Sequence, residues 1–197
     1  MPDALATAVT NTNPNSCVNV QSGRLCKPWH LSNKGLQYIA IWESGILNGT
    51  YKGRRVVDGF VLSVYDDGYH IPTVGLGHRV NPQDHLRIGD EISIERAKEF
   101  MRMSLHDVES AVNRYLRVPL FQYEYDALIS VLWNTGPFHA KHDKWPETRT
   151  EHLTKSLNDG EYSTMRDVIL GFFAERVRSR RASEVKLFTT GVYDASH

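Results

Sequence analysis

One glycine-rich segment, YDDGYHIPTVGLGH at residues 65–78, carries a carboxylate and a hydroxyl on the same short stretch of chain. Asp67 and Thr73 are six positions apart in it. If the residues between them, GYHIP, form the turn of a β-hairpin, the two side chains converge and can hold one water molecule. Asp66 would then point to the opposite face and lie in solvent. The spacing therefore predicts a segment that positions a nucleophilic water.

A second carboxyl group, that of Glu43, lies near the end of a predicted helix. The segment LSNKGLQYIAIWES has an N-cap residue, Ser32, and apolar residues at helical spacing, and Gly45 would end the helix. Apolar neighbours such as Trp42 would favour the neutral form of Glu43, which can donate a proton. Asp67, in a wetter place near turn amides, would be the carboxylate of the pair. A neutral acid and a carboxylate are the two groups that a glycosidase uses. The alternative is that Glu43 is only a solvated residue at a helix end.

The hydrophobic pattern predicts the elements that must position these groups. Between Gly45 and Gly77 the chain is rich in β-branched and aromatic residues, which predicts two or three short antiparallel strands. A helix with Ser93 as its N-cap follows, and then a more apolar helix that ends at Gly136 and would be buried. Further helices are expected over about 149–158, 162–173 and 183–188. The composition of residues 1–28 predicts a flexible extension, and residues 29–197 are expected to form one folded domain.

Composition limits the classes of partner. Lysine plus arginine and aspartate plus glutamate both number 23, so no net field attracts the chain to nucleic acid or to a membrane surface. No run approaches the roughly 20 apolar residues of a spanning helix, and residues 1–20 lack the basic start and apolar core of a signal peptide. We therefore expect synthesis in the cytoplasm without a signal peptide, no membrane insertion and no nucleic-acid partner.

The two cysteines, Cys17 and Cys26, enclose a polar loop. They could close a disulfide in an oxidising compartment, or remain as two free thiols. A zinc site is disfavoured because His30 is the only further ligand type nearby, so no metal is expected.

Several separate pieces of the chain resemble the phage-type lysozymes, the family that includes T-even phage lysozyme and many endolysins. Glu43 at a helix end and the segment YDDGYHIPTVGLGH resemble that family's glutamate followed by Y-x-D-x5-T-[IV]-G-x-G-H. The segment VPLFQYEYDALISVLWNTG is similar to its central helix, and RSRRASEVKLFTTGVYDA to its C-terminal arginine-rich stretch. The pieces occur in the family's order between Leu31 and Ala195.

The resemblance implies an α+β fold with a small antiparallel β lobe that a long helix joins to a mainly helical lobe. It implies a muramidase, which hydrolyses the β-1,4 bond between N-acetylmuramic acid and N-acetylglucosamine in peptidoglycan, without a cofactor. By the same resemblance Glu43 is the general acid, and Asp67 and Thr73 hold the attacking water. The reaction would then invert, with the two carboxyl groups roughly 6.5 to 9.5 Å apart.

The resemblance also implies residues that contact the sugar chain, although a structural role is the alternative for each of them. These are Gly75, Gly77, His78, Trp133, Asn134 and Arg180. Arg180 belongs to an arginine-rich stretch, RVRSRRASEVK, which would either bind an anionic polymer or form a solvated helix face. His78 is expected to orient the hairpin through a buried pair rather than take part in chemistry.

The chain departs from the family between Glu43 and Asp67, which are 24 positions apart, over a dozen more than usual. The glycines in this insertion fit an added strand or loop, whose cations Lys52, Arg54 and Arg55 could reach the anionic wall or a partner protein. The insertion and the N-terminal extension make an antibacterial toxin of the bacteriocin or injected-effector type as reasonable as a phage endolysin. Either would act as a monomer on peptidoglycan in the periplasm or cell wall of a target cell, and a toxin would have an immunity or inhibitor protein as a partner.

Two other functions remain open at this point. A lytic transglycosylase needs only one acid and makes an anhydro product, so an intact Asp67 and Thr73 argue against it. A non-catalytic wall-binding or phage structural module has no need for a pair that positions water.

Overall fold

The structure is a computed structural model that describes residue 24 and residues 29–141, 143–172 and 174–196. Cys17, Cys26 and most of the expected N-terminal extension lie outside the described residues. The chain falls into two compact units. Leu36–His106 together with Ala195–His197 form one, here called the β unit. The described part of Met1–Gly35 together with Asp107–Asp194 form the other, here called the helical unit.

The β unit contains an antiparallel sheet whose five strands pair in chain order. The strands are β1 (Gly49–Tyr51), β2 (Arg54–Val57), β3 (Phe60–Asp66), β4 (Pro72–Gly75) and β5 (His78–Arg79). The expectation of two or three strands was too low. The two additional hairpins have two-residue turns, Lys52-Gly53 and Asp58-Gly59, in which all four residues have positive φ. Such turns match the twist of paired strands, so the insertion extends the sheet rather than forming a loop.

Helix α1 (Asn33–Ser44) has the ends that the sequence predicts. The backbone N–H of Gly35 donates to Ser32 Oγ at 2.9 Å, which caps the first turn, and Gly45 ends the helix with a φ of 80°. The turn between β2 and β3 lies directly against this helix. A Cβ on Gly59 would lie 2.6 Å from Ala40 Cβ, so only glycine permits this approach of sheet and helix. Residues of α1 and the sheet share the core of the unit, including Ile39, Phe60 and Val74, which are all 0% exposed.

Helix α2 (Ile94–Tyr115) is the longest element, and its residues are divided between the two units. Ser93 caps it as predicted, since Ser93 Oγ accepts a hydrogen bond from the backbone N–H of Arg96 at 3.2 Å. The α+β class and the long joining helix expected from the resemblance are confirmed.

The described part of the helical unit contains four further α-helices. They are α3 (Gln122–Thr135), α4 (Arg149–Asn158), α5 (Met165–Gly171) and α6 (Ala174–Thr190). Helix α3 is the buried centre that its composition predicts, and it ends at Gly136. The expected helix over 183–188 was too short, because α6 continues through a polar stretch in which Arg180 and Arg181 are buried and paired with Glu184. Among the described residues, no helix is long and apolar enough to span a membrane.

Candidate functional site

A pocket of about 180 Å³ opens in the β unit between the end of α1 and one face of the sheet. Its lining comes from both elements and from the segment after β4, and comprises Glu43, Ser44, Tyr51, Val61, Tyr65, Gly75, Leu76 and Gly77. The register of the sheet explains this lining. Tyr51 pairs with Arg54, and Val61 pairs with both Val56 and Gly75. Directly paired residues point to the same face, so added and original strands contribute to one surface.

Glu43 reaches this pocket from the second-last position of α1. The close contact of Gly59 with Ala40 fixes the helix against the sheet three residues earlier, within the same unit. The side chain of Glu43 is exposed, so the expected apolar enclosure is not found. Trp42 is half-buried, and its ring packs edge-on against Tyr38 with 6.5 Å between the ring centres. The carboxyl group of Glu43 is therefore accessible to a ligand in the pocket.

Asp67 and Thr73 converge on the backbone of a single residue, Ile71. Asp67 Oδ1 accepts hydrogen bonds from the backbone N–H groups of Tyr69 at 2.8 Å and Ile71 at 3.3 Å. Thr73 Oγ1 donates to the carbonyl oxygen of Ile71 at 3.1 Å. Thr73 also pairs with Tyr65 across the β3–β4 ladder, and Asp67 follows Tyr65 by two positions, so all three belong to the same face. The hairpin therefore attaches both the carboxylate and the hydroxyl to the backbone of Ile71.

Tyr65 connects this pair to the pocket. Burial raises the pKa of the Tyr65 hydroxyl, the Arg54 cation opposes that rise, and the nearby Tyr51 and Asp67 add to it. Its hydroxyl therefore lies within electrostatic reach of the Asp67 carboxylate, while its side chain lines the pocket that Glu43 enters. Tyr65 therefore borders the pocket that Glu43 also lines and is close enough to Asp67 to be affected by its charge.

Asp66 has a role that the sequence analysis missed. Its Oδ1 accepts hydrogen bonds from the backbone N–H groups of Gly68 at 2.8 Å and His70 at 3.0 Å, and Oδ2 lies 3.2 Å from His70 Nδ1. The bond from Gly68 lowers the pKa of Asp66 most, burial opposes it, and the contacts with His70 lower it further, so that the pKa lies below its usual value. Asp66 and Asp67 thus each hold two amides of the same turn. The signal was present in the sequence, because an aspartate side chain in a turn commonly accepts a hydrogen bond from the backbone N–H two residues on, here that of Gly68.

The two glycines after Thr73 line the pocket, whereas the histidine that follows them packs against other residues of the unit. Gly75 and Gly77 line the pocket with positive φ values, 66° and 91°. His78 is half-buried, stacks on Phe100 with 4.0 Å between ring centres, and its Nε2 lies 2.9 Å from Asp84 Oδ2. These contacts match the structural role expected for His78. They give no support to the proposal that His78 contacts the sugar chain.

The other expected sugar-contacting residues belong to the helical unit. Trp133 is half-buried and Asn134 is exposed, with Asn134 Oδ1 accepting a hydrogen bond from Arg181 at 2.6 Å. Arg180 is 5% exposed and donates to Glu184 Oε1 at 3.2 Å. Both expectations for the arginine-rich stretch were therefore wrong at Arg180 and Arg181, which form neither a solvated face nor an exposed cationic surface. They are buried partners of Glu184, itself 0% exposed.

Comparison with known families decides the assignment. The family model for phage lysozyme matches residues 55–183, well over half of the chain. The chain belongs to the phage lysozyme family. The matched range contains Asp67 and Thr73 but begins after Glu43, so the choice of Glu43 depends on the position of α1 beside the pocket.

Three relatives indicate how far this phage lysozyme resembles known members. It is 31% identical over 152 residues to an endolysin of Acyrthosiphon pisum secondary endosymbiont phage 1, covering 77% of this chain and 86% of that protein. It is 38% identical over 90 residues to the endolysin of Salmonella phage P22, covering 45% of this chain and 61% of that one. The solved structure of an endolysin from Escherichia coli O157:H7 phage FAHEc1 superposes with a TM-score of 0.61 at 24% identity, covering 85% of this chain and 98% of that one. This last similarity supports the fold.

Proposed function

We propose that this phage lysozyme is an inverting muramidase that hydrolyses the β-1,4 bond between N-acetylmuramic acid and N-acetylglucosamine in peptidoglycan. One observation carries the proposal. Glu43 enters a pocket whose wall includes Tyr65, and Tyr65 belongs to the hairpin that holds Asp67 and Thr73 together. Family membership and the relatives that are named endolysins support the same activity.

Glu43 would act as the general acid. Its exposed carboxyl group would protonate the glycosidic oxygen as the bond to the anomeric carbon breaks. This protonation converts a poor leaving group into a neutral alcohol, which is the step that requires an acid in the pocket.

Asp67 and Thr73 would hold the attacking water on the other side of the sugar. The hydroxyl proton of Thr73 is directed to the carbonyl of Ile71, so the lone pairs of Thr73 Oγ1 can accept a hydrogen bond from water. Oδ1 of Asp67 is occupied by turn amides, which directs the remaining oxygen, Oδ2, to receive the second proton of that water. Water held by two acceptors presents a lone pair to the anomeric carbon, and attack opposite the leaving group inverts its configuration.

Product analysis tests this proposal. Wild-type protein and Glu43→Gln would be incubated with purified peptidoglycan, and the released fragments analysed by mass spectrometry. The wild type should release muropeptides with reducing ends, and Glu43→Gln should release none while unfolding at the same denaturant concentration, because the amide fills the same space but cannot donate an acidic proton. Anhydro products would instead indicate a lytic transglycosylase, and no release by the wild type would indicate a binding module.

The phage setting is favoured over the toxin setting, since both curated relatives are named endolysins. In that setting the protein acts on the wall of the cell that makes it. A toxin would require an immunity protein, which would appear in the same release assay as an inhibitor from the producing cell.

A further inference from the structure

The inserted hairpin β1–β2 supplies part of the pocket wall. Tyr51 at the end of β1 and Tyr65 on β3 both line the pocket with Glu43. A cation lies over each of these rings. Lys52 Nζ is 5.2 Å from the centre of the Tyr51 ring, and the Arg54 guanidinium carbon is 4.8 Å from the centre of the Tyr65 ring. The insertion therefore brings positive charge to the pocket as well as aromatic surface.

Arg54 is held in place without an acidic partner. Its position is half-buried, it lies over Tyr65, and its hydrogen bond is to a backbone carbonyl, that of Lys52 at 3.4 Å. Among the described residues, none of the hairpin's three cations, Lys52, Arg54 and Arg55, has a carboxylate within 4.0 Å of its charged nitrogens. Elsewhere in the same unit the pattern differs, since Lys98 pairs with Asp58 at 2.9 Å. An arginine stacked on an aromatic ring keeps its planar fork of donors available for a carboxylate.

The acidic groups near the pocket explain why a cation such as Arg54 would be needed there. Glu43 lines the pocket and the charge of Asp67 reaches Tyr65, so two acidic groups would lie close to a polymer bound there. Peptidoglycan is itself anionic, because its muramic acid carries a lactyl group that ends either in a free carboxylate or in a peptide with carboxylates of its own. A binding site for such a polymer needs positive charge close to its catalytic acids, or repulsion weakens binding.

We propose that Arg54 is a specificity residue that binds a carboxylate of the peptidoglycan substituent on the muramic acid, with the inserted hairpin acting as a recognition wall. This inference depends on the proposed muramidase function. It predicts that the insertion favours charged, substituted glycan over neutral glycan, and that Arg54 contributes to substrate binding rather than to bond cleavage.

Arg55 provides the matched control. It is the next residue of the same strand, so its side chain points to the opposite face, and it is exposed. Arg55→Gln removes the same charge from nearly the same place without affecting the pocket face. A third variant, Arg54→Lys, keeps the charge but loses the planar fork.

The experiment measures kcat and KM on three substrates. Intact peptidoglycan carries peptide carboxylates, amidase-treated glycan strands carry lactyl carboxylates, and chitin oligosaccharides carry neither. Arg54→Gln should raise KM about five- to tenfold on the substrate that supplies the bound carboxylate, with kcat retained, whereas Arg55→Gln should stay within about twofold of the wild type. Arg54→Lys should fall between them. An effect on intact peptidoglycan alone assigns the peptide carboxylates, and an effect on the amidase-treated strands alone assigns the lactyl carboxylate. An effect on both charged substrates means that Arg54 binds a carboxylate in either position.

Other outcomes separate the two proposals. Suppose that the wild type releases reducing ends but Arg54→Gln and Arg55→Gln have equal KM values on every substrate. The proposal that the hairpin is a recognition wall is then wrong, and the proposal that the protein is a muramidase is retained. An equal rise in KM on chitin oligosaccharides would also overturn it, because those contain no carboxylate. If the wild type cleaves no substrate, the muramidase proposal itself fails.

Discussion

The carboxylates of the two units are held in opposite ways. In the β unit, Asp66 and Asp67 bind backbone N–H groups no more than four residues away and remain partly exposed. In the helical unit, Asp126 is 0% exposed and binds Ser32 and Tyr193, which are 94 and 67 positions away. Burial raises the pKa of Asp126, although its hydrogen bonds oppose the rise.

Carboxylates held by a local turn are suited to catalysis, and carboxylates enclosed by distant donors are suited to stabilising the fold. A carboxylate that a local turn holds can be accurately placed and still be open to water and substrate. A carboxylate that distant donors enclose ties elements together but cannot reach a ligand, and removing it leaves those donors unsatisfied. Substitutions in the β unit should therefore change activity, and those among the buried acids of the helical unit should change stability.

The largest effect is expected for Asp67→Asn. Asparagine keeps the oxygen that accepts from Tyr69 and Ile71, so the turn should persist and the free energy of unfolding should change by less than about 0.5 kcal/mol. It cannot take a proton from water, so kcat should fall roughly 100- to 10,000-fold. Reducing-end release and urea denaturation measure the two quantities.

Asp67→Ala is the companion variant, because it removes both the carboxylate and the turn acceptor. Its activity should be no higher than that of Asp67→Asn. Near-normal turnover by Asp67→Asn would remove Asp67 from the mechanism and leave it as a turn residue only.

A smaller effect, on stability instead of turnover, is expected for Asp126→Ala. Four donors would lose their acceptor: the backbone N–H and the hydroxyl of Ser32, the Gln122 amide at 2.8 Å and the Tyr193 hydroxyl at 2.6 Å. Unsatisfied buried donors should lower the free energy of unfolding by about 2 to 4 kcal/mol. Chemical denaturation measures the loss, and kcat should be unchanged for molecules that remain folded.

Tyr193→Phe removes one of these hydrogen bonds and tests the network in part. It should cost about 1 kcal/mol. If Asp126→Ala lost turnover while unfolding like the wild type, the division of roles between the two units would be wrong.

The same division explains what the sequence could predict. The caps at Ser32, Ser93 and Gly136 and the convergence of Asp67 with Thr73 depend on residues within a few positions, so local rules are sufficient. The Asp58-Gly59 turn depends on local rules too, since aspartate before glycine between apolar runs is a strong hairpin signal, and using it would have predicted the β2–β3 hairpin.

The burial of the arginine-rich helix required tertiary information. Arg180 and Glu184 are four positions apart on α6, a spacing that also occurs in ion pairs on solvated helix faces. Contacts with distant residues, such as that of Glu184 with Ser130, 54 positions away, distinguish the buried arrangement. Arg24 and Glu124 form a similar pair across 100 positions, which no local pattern could indicate.

The smallest predicted effect is a difference in how stability depends on pH. Burial alone would raise the pKa of Asp84, but the hydrogen bonds from the Asn81 N–H and from His78 outweigh it and hold the pKa below its usual value of 3.8. Its stabilising contribution is therefore complete above that value and is lost as the pH falls through the lowered pKa. The pKa of Asp126 is raised, so the folded state holds that proton more tightly than the unfolded state. Its contribution is greatest below the usual value and declines as the pH rises through the window up to the raised pKa.

The two acids should therefore give opposite slopes. Urea denaturation of the wild type, Asp84→Asn and Asp126→Asn across the acid range measures the difference in unfolding free energy at each pH. As the pH rises, the stability of the wild type relative to Asp84→Asn should increase, and its stability relative to Asp126→Asn should decrease. Slopes of the same sign would mean that Asp126 is stabilised as a charged group by its four hydrogen bonds, from Ser32 N and Oγ, Gln122 and Tyr193. In that case burial would not distinguish the acids of the two units, and access to substrate alone would do so.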